Sequence, residues 1–295
     1  MLSILIPEYN YNCTKLVSDL AAQCKGANVA YEIIVLDDAS TLYISENQKI
    51  IELSCCHFVK SEQNLGSAKV RNELAKMATY PHLLMIDCDA EVCNKDFIQR
   101  YLDIMGQHQV IIGGVAYQHK APSINHYLRW FYGKNRECPA AVLRNQNPYK
   151  SVLSFNLMIE KDVLLKYPYD ENFTDYGHED SVMGFTFRKA GISILHIDNT
   201  LIHNGLDLNE VFLAKSLKAV EKYFTCPVFQ SKEMVEEIKI FRAFEKVRDL
   251  GLCRIIAFKY RVAKKVIVHN LCGKHPSMLL FDFYRLGYMC NYFLN

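Results

Sequence analysis

The 295-residue sequence lacks the long apolar runs, internal repeats and CxxC cysteine pairs that mark several protein classes. No segment approaches the roughly 20 consecutive apolar residues that a membrane-spanning helix needs. Residues 1–7 have neither a basic leader nor a cleavage site of small residues, so no signal peptide is predicted. The 11 cysteines include no CxxC pair, a pattern that favours reduced thiols over a disulfide framework. We therefore expect a cytoplasmic protein.

Acidic residues are scarce in the C-terminal part of the chain, where basic residues collect. Residues 1–209 carry 19 Lys and Arg against 24 Asp and Glu, whereas residues 210–295 carry 15 against 8. No nucleic-acid-binding motif accompanies this charge, so we expect no nucleic-acid partner. The basic stretch 254–265, with Phe258 and Tyr260 interleaved, is a candidate for peripheral contact with the anionic inner face of a membrane. The alternative is an ordinary solvated face.

Short apolar runs alternate with helical patterns along the first part of the chain. Strands are predicted at 2–6, 32–36, 56–60, 82–86, 109–115, 151–160 and 192–197. Helices are predicted at 12–24, 67–78 and 179–190, and a loop region at 122–149. This order predicts an α/β fold whose mostly parallel central sheet is flanked by helices.

The predicted domain organisation separates this α/β part from a helical end. We predict a catalytic domain over 1–208, with a nucleotide-binding half at 1–115 and an acceptor half at 116–208. Residues 209–295 are predicted to form a helical C-terminal region, which packs on the domain or lies on a membrane surface. Asn209 is the expected N-cap of its first helix.

Acidic side chains follow two of the predicted strands, at the point where each strand ends. Asp37 and Asp38 end the second strand, and residues 83–89, LLMIDCD, end in Asp87 and Asp89. In parallel sheets, ligands bind outside the carboxyl ends of the strands. Hard divalent cations prefer oxygen ligands and keep positions open for phosphate oxygens. A lone Asp-x-Asp is equally typical of a solvated turn, so its context has to decide.

Four ordered segments supply that context, and together they resemble family-2 glycosyltransferases. They are residues 3–10 (SILIPEYN), residues 32–40 (EIIVLDDAS), residues 64–72 with Asn64-Leu65-Gly66 and Arg71-Asn72, and residues 84–89 (LMIDCD). Phe155-Asn156, Phe173 and the stretch from Tyr176 to Asp180 resemble the family's acceptor side. The resemblance covers about residues 1–205. It implies a GT-A fold, a Rossmann-like α/β architecture, here with a helical C-terminal extension.

The resemblance also implies which residues bind the nucleotide sugar. These are Pro7, Tyr9, Asp37, Asp38, Arg71, Asp87 and Asn156. Tyr9 would stack on the base, and Asp38 would accept a hydrogen bond from uracil. Asp87 would contact the ribose or the sugar. A structural salt bridge is the alternative for Arg71, and a buried turn asparagine is the alternative for Asn156.

The implied metal ligands are Asp89 and His203, and the implied ion is Mn²⁺ or Mg²⁺. His203 stands in Leu201-Ile202-His203-Asn204-Gly205, which resembles the downstream ligand segment of some family members. The alternative for this histidine is a purely hydrogen-bonded role at a strand end.

The pair Glu179-Asp180 lies at the start of a predicted helix, where the helix dipole favours negative charge. Helix-end electrostatics alone would explain the pair. The resemblance instead implies that Asp180, with Glu179 beside it, forms the catalytic pair and that Asp180 is the general base. His178 occupies a position where the family usually has a small residue, a departure that bears on acceptor contacts.

The implied reaction is the inverting transfer of a sugar from a nucleoside-diphosphate sugar to a hydroxyl of a glycan or a lipid-linked glycan. UDP is the expected nucleotide. One alternative is a haloacid-dehalogenase-type phosphatase, although Ala90-Glu91 follow the second Asp of the motif and leave out the expected Thr or Val. The other is an inactive relative that only binds nucleotide or glycan.

Overall fold

A computed structural model describes residues 1–173 and 177–295, and these residues form two compact units. The first comprises Met1–Gln118, the described part of Cys138–Asp175, and Met183–Gly205. The second comprises His119–Glu137, the described part of Tyr176–Val182, and Leu206–Asn295. The predicted domain boundary after residue 208 stays a prediction.

The secondary structure alternates in the first part of the chain and is helical at its end. The strands are β1 Leu2–Glu8, β2 Tyr31–Asp37, β3 Cys56–Lys60, β4 His82–Ile86, β5 Ala90–Glu91, β6 Val110–Ile112, β7 Val115–Ala116, β8 Asn156–Glu160, β9 Ile194–His196 and β10 Leu201–His203. The α-helices are α1 Thr14–Gly26, α2 Ile44–Gln48, α3 Ser67–Met77, α4 Phe97–Leu102, α5 Tyr127–Arg136, α6 Ala141–Arg144, α7 Lys161–Lys166, α8 Glu179–Ala190, α9 Asn209–Thr225, α10 Lys232–Val235, α11 Lys239–Asp249, α12 Cys253–Leu271 and α13 Met278–Phe293. Short 3₁₀ turns lie at Lys49–Glu52, Ile124–His126, Pro148–Ser151 and Pro227–Gln230.

A seven-stranded sheet in the order β3-β2-β1-β4-β8-β6-β9 is the centre of the first unit. β8 runs antiparallel to β4 and to β6, whereas the other pairs of this sheet are parallel. Continuous apolar runs fit this arrangement, because a mostly parallel sheet is covered on both faces. Leu5 and Leu83 share one core cluster with Leu74 of α3. The predicted α/β fold with a mostly parallel sheet is confirmed.

A second, three-stranded sheet in the order β5-β10-β7 also belongs to the first unit. β10 pairs antiparallel with β5 and parallel with β7. Its strands are only two or three residues long. This small sheet therefore sets the position of the residues next to it, Asp89 before β5 and Asn204-Gly205 after β10.

The second unit is helical in its described residues, as predicted for the C-terminal extension. Its core contains aromatic and aliphatic residues of α5, α9, α12 and α13, among them Leu128, Phe212, Tyr260 and Phe281. None of the described helices combines the length and the apolar character that a membrane crossing needs.

Four local predictions were wrong. The strand predicted at 151–160 begins only at Asn156, after the 3₁₀ turn at Pro148–Ser151. The region 122–149, predicted as a loop, contains α5 and α6. The sequence pattern did not predict α5 because its buried face includes Arg129 and Gly133. The strand predicted at 109–115 divides into β6 and β7 at Gly113-Gly114, where Gly114 has a φ of +91°. Asn209 is the first residue of α9 and not its N-cap. Its side chain instead accepts a hydrogen bond from the Leu128 amide at 2.9 Å.

Candidate active site

The carboxyl ends of β1, β2 and β4 place polar residues at one edge of the large sheet. Glu8 at the end of β1 pairs in register with Asp37 at the end of β2. β8 runs in the opposite direction, so its first residue, Asn156, lies opposite Ile86 at the end of β4. The sheet thus brings strand ends from separate parts of the sequence to one edge, as the alternating pattern predicted.

Glu8 and Asp37 are buried carboxyl groups that fix the turn after β2. Asp37 is 0% exposed, and its Oδ1 accepts a hydrogen bond from the Ser40 amide at 2.7 Å. The Ser40 hydroxyl lies 3.2 Å from Oε2 of Glu8. Burial raises the pKa of Glu8, and the charge of Asp37 adds to the rise. The sequence analysis assigned Asp37 to the nucleotide site, which stays a prediction, and gave Glu8 no role.

Asp38 holds the Asn64-Leu65-Gly66 segment against the end of β2. Its Oδ1 accepts a hydrogen bond from the Leu65 amide at 2.6 Å, and its Oδ2 accepts one from the Gly66 amide at 3.0 Å. Asn64 donates to the Asp38 carbonyl at 3.1 Å. Both carboxylate oxygens of Asp38 therefore stabilise the local backbone. The predicted uracil contact stays a prediction and would use the remaining lone pairs.

Tyr9 is a projecting side chain at this edge, directly after β1. It is 54% exposed, whereas Pro7 is half-buried within the strand. The backbone turns at Asn10, which has a φ of +52°, and the Asn10 Oδ1 accepts hydrogen bonds from the amides of Thr41 and Leu42 at 2.8 and 3.0 Å. A fixed backbone with an exposed ring suits the predicted stacking on a base.

Arg71 and Asp87 form an ion pair. Arg71 Nη2 lies 2.5 Å from Asp87 Oδ1, and Arg71 Nη1 donates to the Ser67 carbonyl at 2.9 Å. The Asp87 side chain keeps 30% of its surface exposed, against 13% for Arg71. The salt bridge considered as the alternative for Arg71 is thus present, and it fixes Asp87 at the edge where a ribose contact was predicted.

Asn156 is enclosed by hydrogen bonds at the start of β8. It is 0% exposed. Its Oδ1 accepts from the Tyr101 hydroxyl at 2.7 Å, and its Nδ2 donates to the carbonyls of Gly114 and Asn199 at 3.0 and 2.8 Å. These contacts match the buried-asparagine interpretation that was left open. The predicted sugar contact stays untested.

The small sheet brings Asp89 and His203 together. His203 pairs with Ala90 in the β10–β5 register, and its Nε2 lies 3.2 Å from Asp89 Oδ2. The rings of Tyr117 and Phe155 meet the imidazole edge-on, with centroids 5.5 and 5.4 Å away. The imidazole is therefore fixed in orientation as well as in position.

Gly205 is the close neighbour that lets Asp89 take this position. A Cβ atom at residue 205 would lie 1.8 Å from Asp89 Oδ2 and 2.7 Å from its Cγ. The backbone supports the same contact, since the Asn204 amide donates to the Asp89 carbonyl at 3.0 Å. Glycine at position 205 is thus required by space beside the carboxylate.

Asp89 and His203 fit two ligands of one divalent cation. Two ligand atoms that each lie about 2.1 Å from an octahedral ion are about 3 Å apart, close to the separation observed. Within residues 1–173 and 177–295, no three His, Cys, Asp or Glu side chains are grouped as ligands of one ion. Such a site would depend on other oxygens, and Mg²⁺ is commonly held by one or two protein ligands together with substrate phosphates.

Glu179 and Asp180 belong to the second unit and begin α8. The Gly177 amide donates to Glu179 Oε2 at 3.0 Å. Gly177 has a φ of +125°, and a Cβ there would lie 2.6 Å from the Cβ of Ala219. The turn before the pair is therefore tightly defined. Tyr176, which was part of the predicted acceptor segment, lies outside the described residues.

His178 completes that turn with a φ of +70°. Its ring packs against Phe241 and Phe229, with centroids 4.8 and 5.9 Å away. Burial, together with the charges of Arg285 and Lys222, lowers the pKa of His178 to about 3. A neutral imidazole thus stands next to Glu179. The sequence singled out His178 as unusual but gave no sign of the aromatic contacts that hold it.

Comparison with known proteins identifies a matching family profile and a related protein. The profile of the family described as Glycosyl transferase family 2 matches residues 3–164. Chondroitin synthase of Escherichia coli is 24% identical over 239 residues, which cover 69% of this chain and 34% of that protein. The chain thus spans about a third of the length of this relative.

Two solved structures are similar in fold. S. aureus TarS 1-349 in complex with UDP has a TM-score of 0.51 and 16% identity, covering 99% of this chain and 90% of that one. The mannosyltransferase PcManGT from Pyrobaculum calidifontis, in complex with GDP-Man and Mn²⁺, has a TM-score of 0.55 and 12% identity, covering 99% and 86%. The predicted GT-A fold is confirmed by these similarities.

Proposed function

Because the chain belongs to glycosyl transferase family 2, we propose that it transfers a sugar from a nucleoside-diphosphate sugar to a hydroxyl of a glycan or lipid-linked glycan. The observation that carries the proposal is the 3.2 Å approach of His203 Nε2 to Asp89 Oδ2, beside the edge where β1, β2 and β4 end. Similar proteins hold UDP, or GDP-Man with Mn²⁺. The family assignment excludes the phosphatase alternative.

The donor is proposed to lie at the sheet edge of the first unit. Tyr9 stacks on the base, which we propose to be uracil, and Asp38 accepts a hydrogen bond from it. Asp87, fixed by Arg71, contacts the ribose or the sugar. The exposed Tyr9 ring and the partly exposed Asp87 carboxylate support these roles.

Asp89 and His203 are proposed to hold Mn²⁺ or Mg²⁺. When bound, the cation neutralises the charge that develops on the diphosphate leaving group. The chain's own contribution is to present one carboxylate and one fixed imidazole at a spacing that matches two ligands of such an ion. Gly205 leaves the space in which the Asp89 carboxylate lies.

Asp180 is proposed to be the general base, with Glu179 completing the pair. Asp180 takes the proton from the acceptor hydroxyl, whose oxygen then attacks the anomeric carbon from the face opposite the leaving group. The bond from that carbon to the diphosphate oxygen breaks, and the anomeric configuration inverts. A carboxylate at a helix N-terminus stays ionised, as a base for an oxygen nucleophile must.

A donor-hydrolysis screen of UDP-, GDP- and dTDP-sugars with Mn²⁺ or Mg²⁺ tests the proposal. We expect metal-dependent release of the nucleotide from one donor, and its loss in Asp89→Ala. Once an acceptor is found, Asp180→Asn should abolish transfer while keeping donor affinity. An inactive relative would bind the nucleotide and release nothing in either assay. Unchanged transfer by Asp180→Asn would remove Asp180 from the role of base.

We also propose that α12 holds the protein at the cytoplasmic face of an anionic membrane. The helix carries five Lys and Arg residues and no acidic residue. Four apolar side chains three or four residues apart are 52–72% exposed, namely Ile255, Phe258, Val262 and Val266. An apolar stripe flanked by basic side chains is the pattern of helices that lie in the interface of anionic lipids. Such contact would serve a lipid-linked acceptor.

Co-sedimentation with vesicles that contain or lack phosphatidylglycerol tests this contact. Val262→Asp should weaken sedimentation with the anionic vesicles, whereas Val142→Asp should not. The two positions are matched, because each valine is 69% exposed and the second lies on α6. Equal binding to both kinds of vesicle, or equal loss in both variants, would contradict the proposal.

A further inference from the structure

A cleft in the second unit is lined by basic side chains from three helices. It encloses about 440 Å³. α5 contributes Tyr132 and Arg136, α11 contributes Lys239, and α13 contributes Asp282 and Arg285. The remaining lining is aliphatic. Three cations against one carboxylate give the cleft a net positive charge.

The single carboxylate of the cleft compensates only one of these cations. Arg136 Nη2 lies 2.8 Å from Asp282 Oδ2. In the part of the chain that the structure describes, neither Lys239 nor Arg285 has an ion pair with a carboxylate. Two positive charges of the lining are therefore left for a ligand.

Arg285 is the cation of the cleft with the least compensated charge. Its Nε is buried and has no hydrogen-bond partner among the described residues. Its guanidinium lies 5.5 Å from the centroid of the Phe281 ring. A guanidinium that is partly removed from water, with an unsatisfied donor and no counter-charge, costs free energy that a bound anion would recover. Planar guanidinium groups match carboxylate and phosphate oxygens especially well.

The cleft is linked electrostatically to the turn before α8. Arg285 is one of the two cations whose charge acts on His178. His178 directly precedes Glu179 and Asp180, and all of these residues belong to the second unit. The cationic cleft thus shares its unit with the proposed base, whereas Asp89 and His203 belong to the first unit.

We propose that this cleft binds a carboxylate or phosphate group of the acceptor, so that the acceptor is an anionic glycan. The inference rests on the proposed transferase function, because it assigns the anion to the acceptor. The other source of the same chemistry is the donor diphosphate. The acceptor is favoured because the cleft lies in the unit that contains Asp180.

Direct binding measurements test the proposal without relying on turnover. Calorimetry would compare a glucuronate-containing oligosaccharide with the same oligosaccharide after reduction of its carboxyl groups, with inorganic phosphate and UDP as further probes. We expect the acidic form to bind about tenfold or more tightly than the reduced form, since a charge-assisted hydrogen bond contributes that much. The preference should weaken at high salt.

Variants of the cleft locate the binding. Lys239→Gln should reduce the preference for the acidic form or for phosphate about tenfold, and Arg285→Lys should reduce it by loss of the planar donor pair. Lys218→Gln is the matched control, because Lys218 is an exposed lysine of α9 in the same unit. Thermal unfolding of each variant would show that it is folded.

The outcomes distinguish an acceptor anion from the donor diphosphate, and they test the anion-binding cleft separately from the transferase function. A preference for the acidic oligosaccharide or for phosphate that Lys239→Gln removes supports the inference. No preference for either anion, or a preference that all variants keep, overturns it. An equal loss of UDP affinity in Lys239→Gln would assign the cleft to the donor and overturn it as well. Donor hydrolysis, measured separately, decides the transferase function itself.

Discussion

Asp89 Oδ2 lies 3.2 Å from His203 Nε2, and the two residues are 114 positions apart in the sequence. Asp89 follows the large sheet at the end of β4, whereas His203 ends β10 of the small sheet. The two strands belong to different sheets, and β5, which follows Asp89 in the sequence, pairs with β10. The proximity of a carboxylate and an imidazole at ligand spacing is the basis of the metal predictions.

Asp89→Ala and His203→Ala should each lower Mn²⁺ affinity at least about tenfold, because each removes one of two ligands on a common ion. Electron paramagnetic resonance of Mn²⁺ in the presence of UDP would measure free and bound ion. The double variant should lose less than the sum of the single losses, since the two ligands act as one chelate. Asp96→Ala on the surface is the control, and an unchanged affinity in both single variants would contradict the prediction.

Gly205→Ala tests the role of space beside Asp89. The new Cβ would lie 1.8 Å from Asp89 Oδ2, so the carboxylate has to move away from its position next to His203. We expect metal affinity and donor hydrolysis to fall about 10- to 100-fold, the range found for residues that orient a metal ligand. Gly26→Ala is the matched control, because a Cβ there meets no atom within 4 Å. If Gly205→Ala were as active as Gly26→Ala, the Asp89 carboxylate could move away from residue 205 without loss of function, and the prediction would be wrong.

Asp38→Ala should destabilise the fold in addition to any effect on the nucleotide. Two backbone donors, the amides of Leu65 and Gly66, would lose their charged acceptor. The free energy of unfolding should fall by about 2–4 kcal/mol, as measured by urea denaturation. Asp96→Ala, which removes an exposed ion pair with Arg100 of α4, should cost less than about 1 kcal/mol. If Asp38→Ala lowered the free energy of unfolding no more than Asp96→Ala does, the Leu65-Gly66 turn would form without Asp38.

Strong local patterns allowed much of the fold to be predicted from the sequence. β3 and β4 have the predicted bounds, and α8 begins at Glu179 as predicted. For β4 the pattern is clear, because a buried apolar run is followed directly by Asp87. β5 and β7 have two residues each, too few for any periodicity to show. α5 was missed because its buried face includes Arg129, whose charge is paired with Glu137 at 3.1 Å.

The candidate site likewise contains residues that the sequence could indicate and contacts that it could not. Asp38 and Asp89 could be singled out as candidates because they follow apolar strands within recognisable motifs, and Glu179-Asp180 because they follow Gly177-His178. Their roles stay predictions. The hydrogen bonds of Asp38 could not be read from the sequence, since they depend on a turn 27 and 28 residues further along. The cationic cleft could not be predicted from the sequence either, because it too depends on contacts between distant segments. Lys239 and Arg285 come from different helices, and only the packing of α11 and α13 brings them to one lining.

His178 predicts a specific pH dependence of stability. Its pKa is lowered from the ordinary value of 6.5 to about 3 in the folded protein, because burial and the charges of Arg285 and Lys222 disfavour the imidazolium. Between those two values the unfolded chain binds the proton and the folded chain does not, so acidification favours unfolding. The stability contributed by neutral His178 is therefore present above about pH 6.5 and is lost as the pH falls towards 3.

His178→Asn should remove this part of the pH dependence, because asparagine tolerates a positive φ and does not titrate. Urea denaturation at pH 7.5 and pH 5 would give the loss of unfolding free energy on acidification. That loss should be smaller in His178→Asn than in the unsubstituted protein, even though the variant is less stable at pH 7.5 for want of the contacts with Phe241 and Phe229. His119→Asn is the control, since His119 is exposed. If His178→Asn and the control lose stability in parallel on acidification, the buried imidazole does not govern the acid response, and the groups that do must be sought elsewhere.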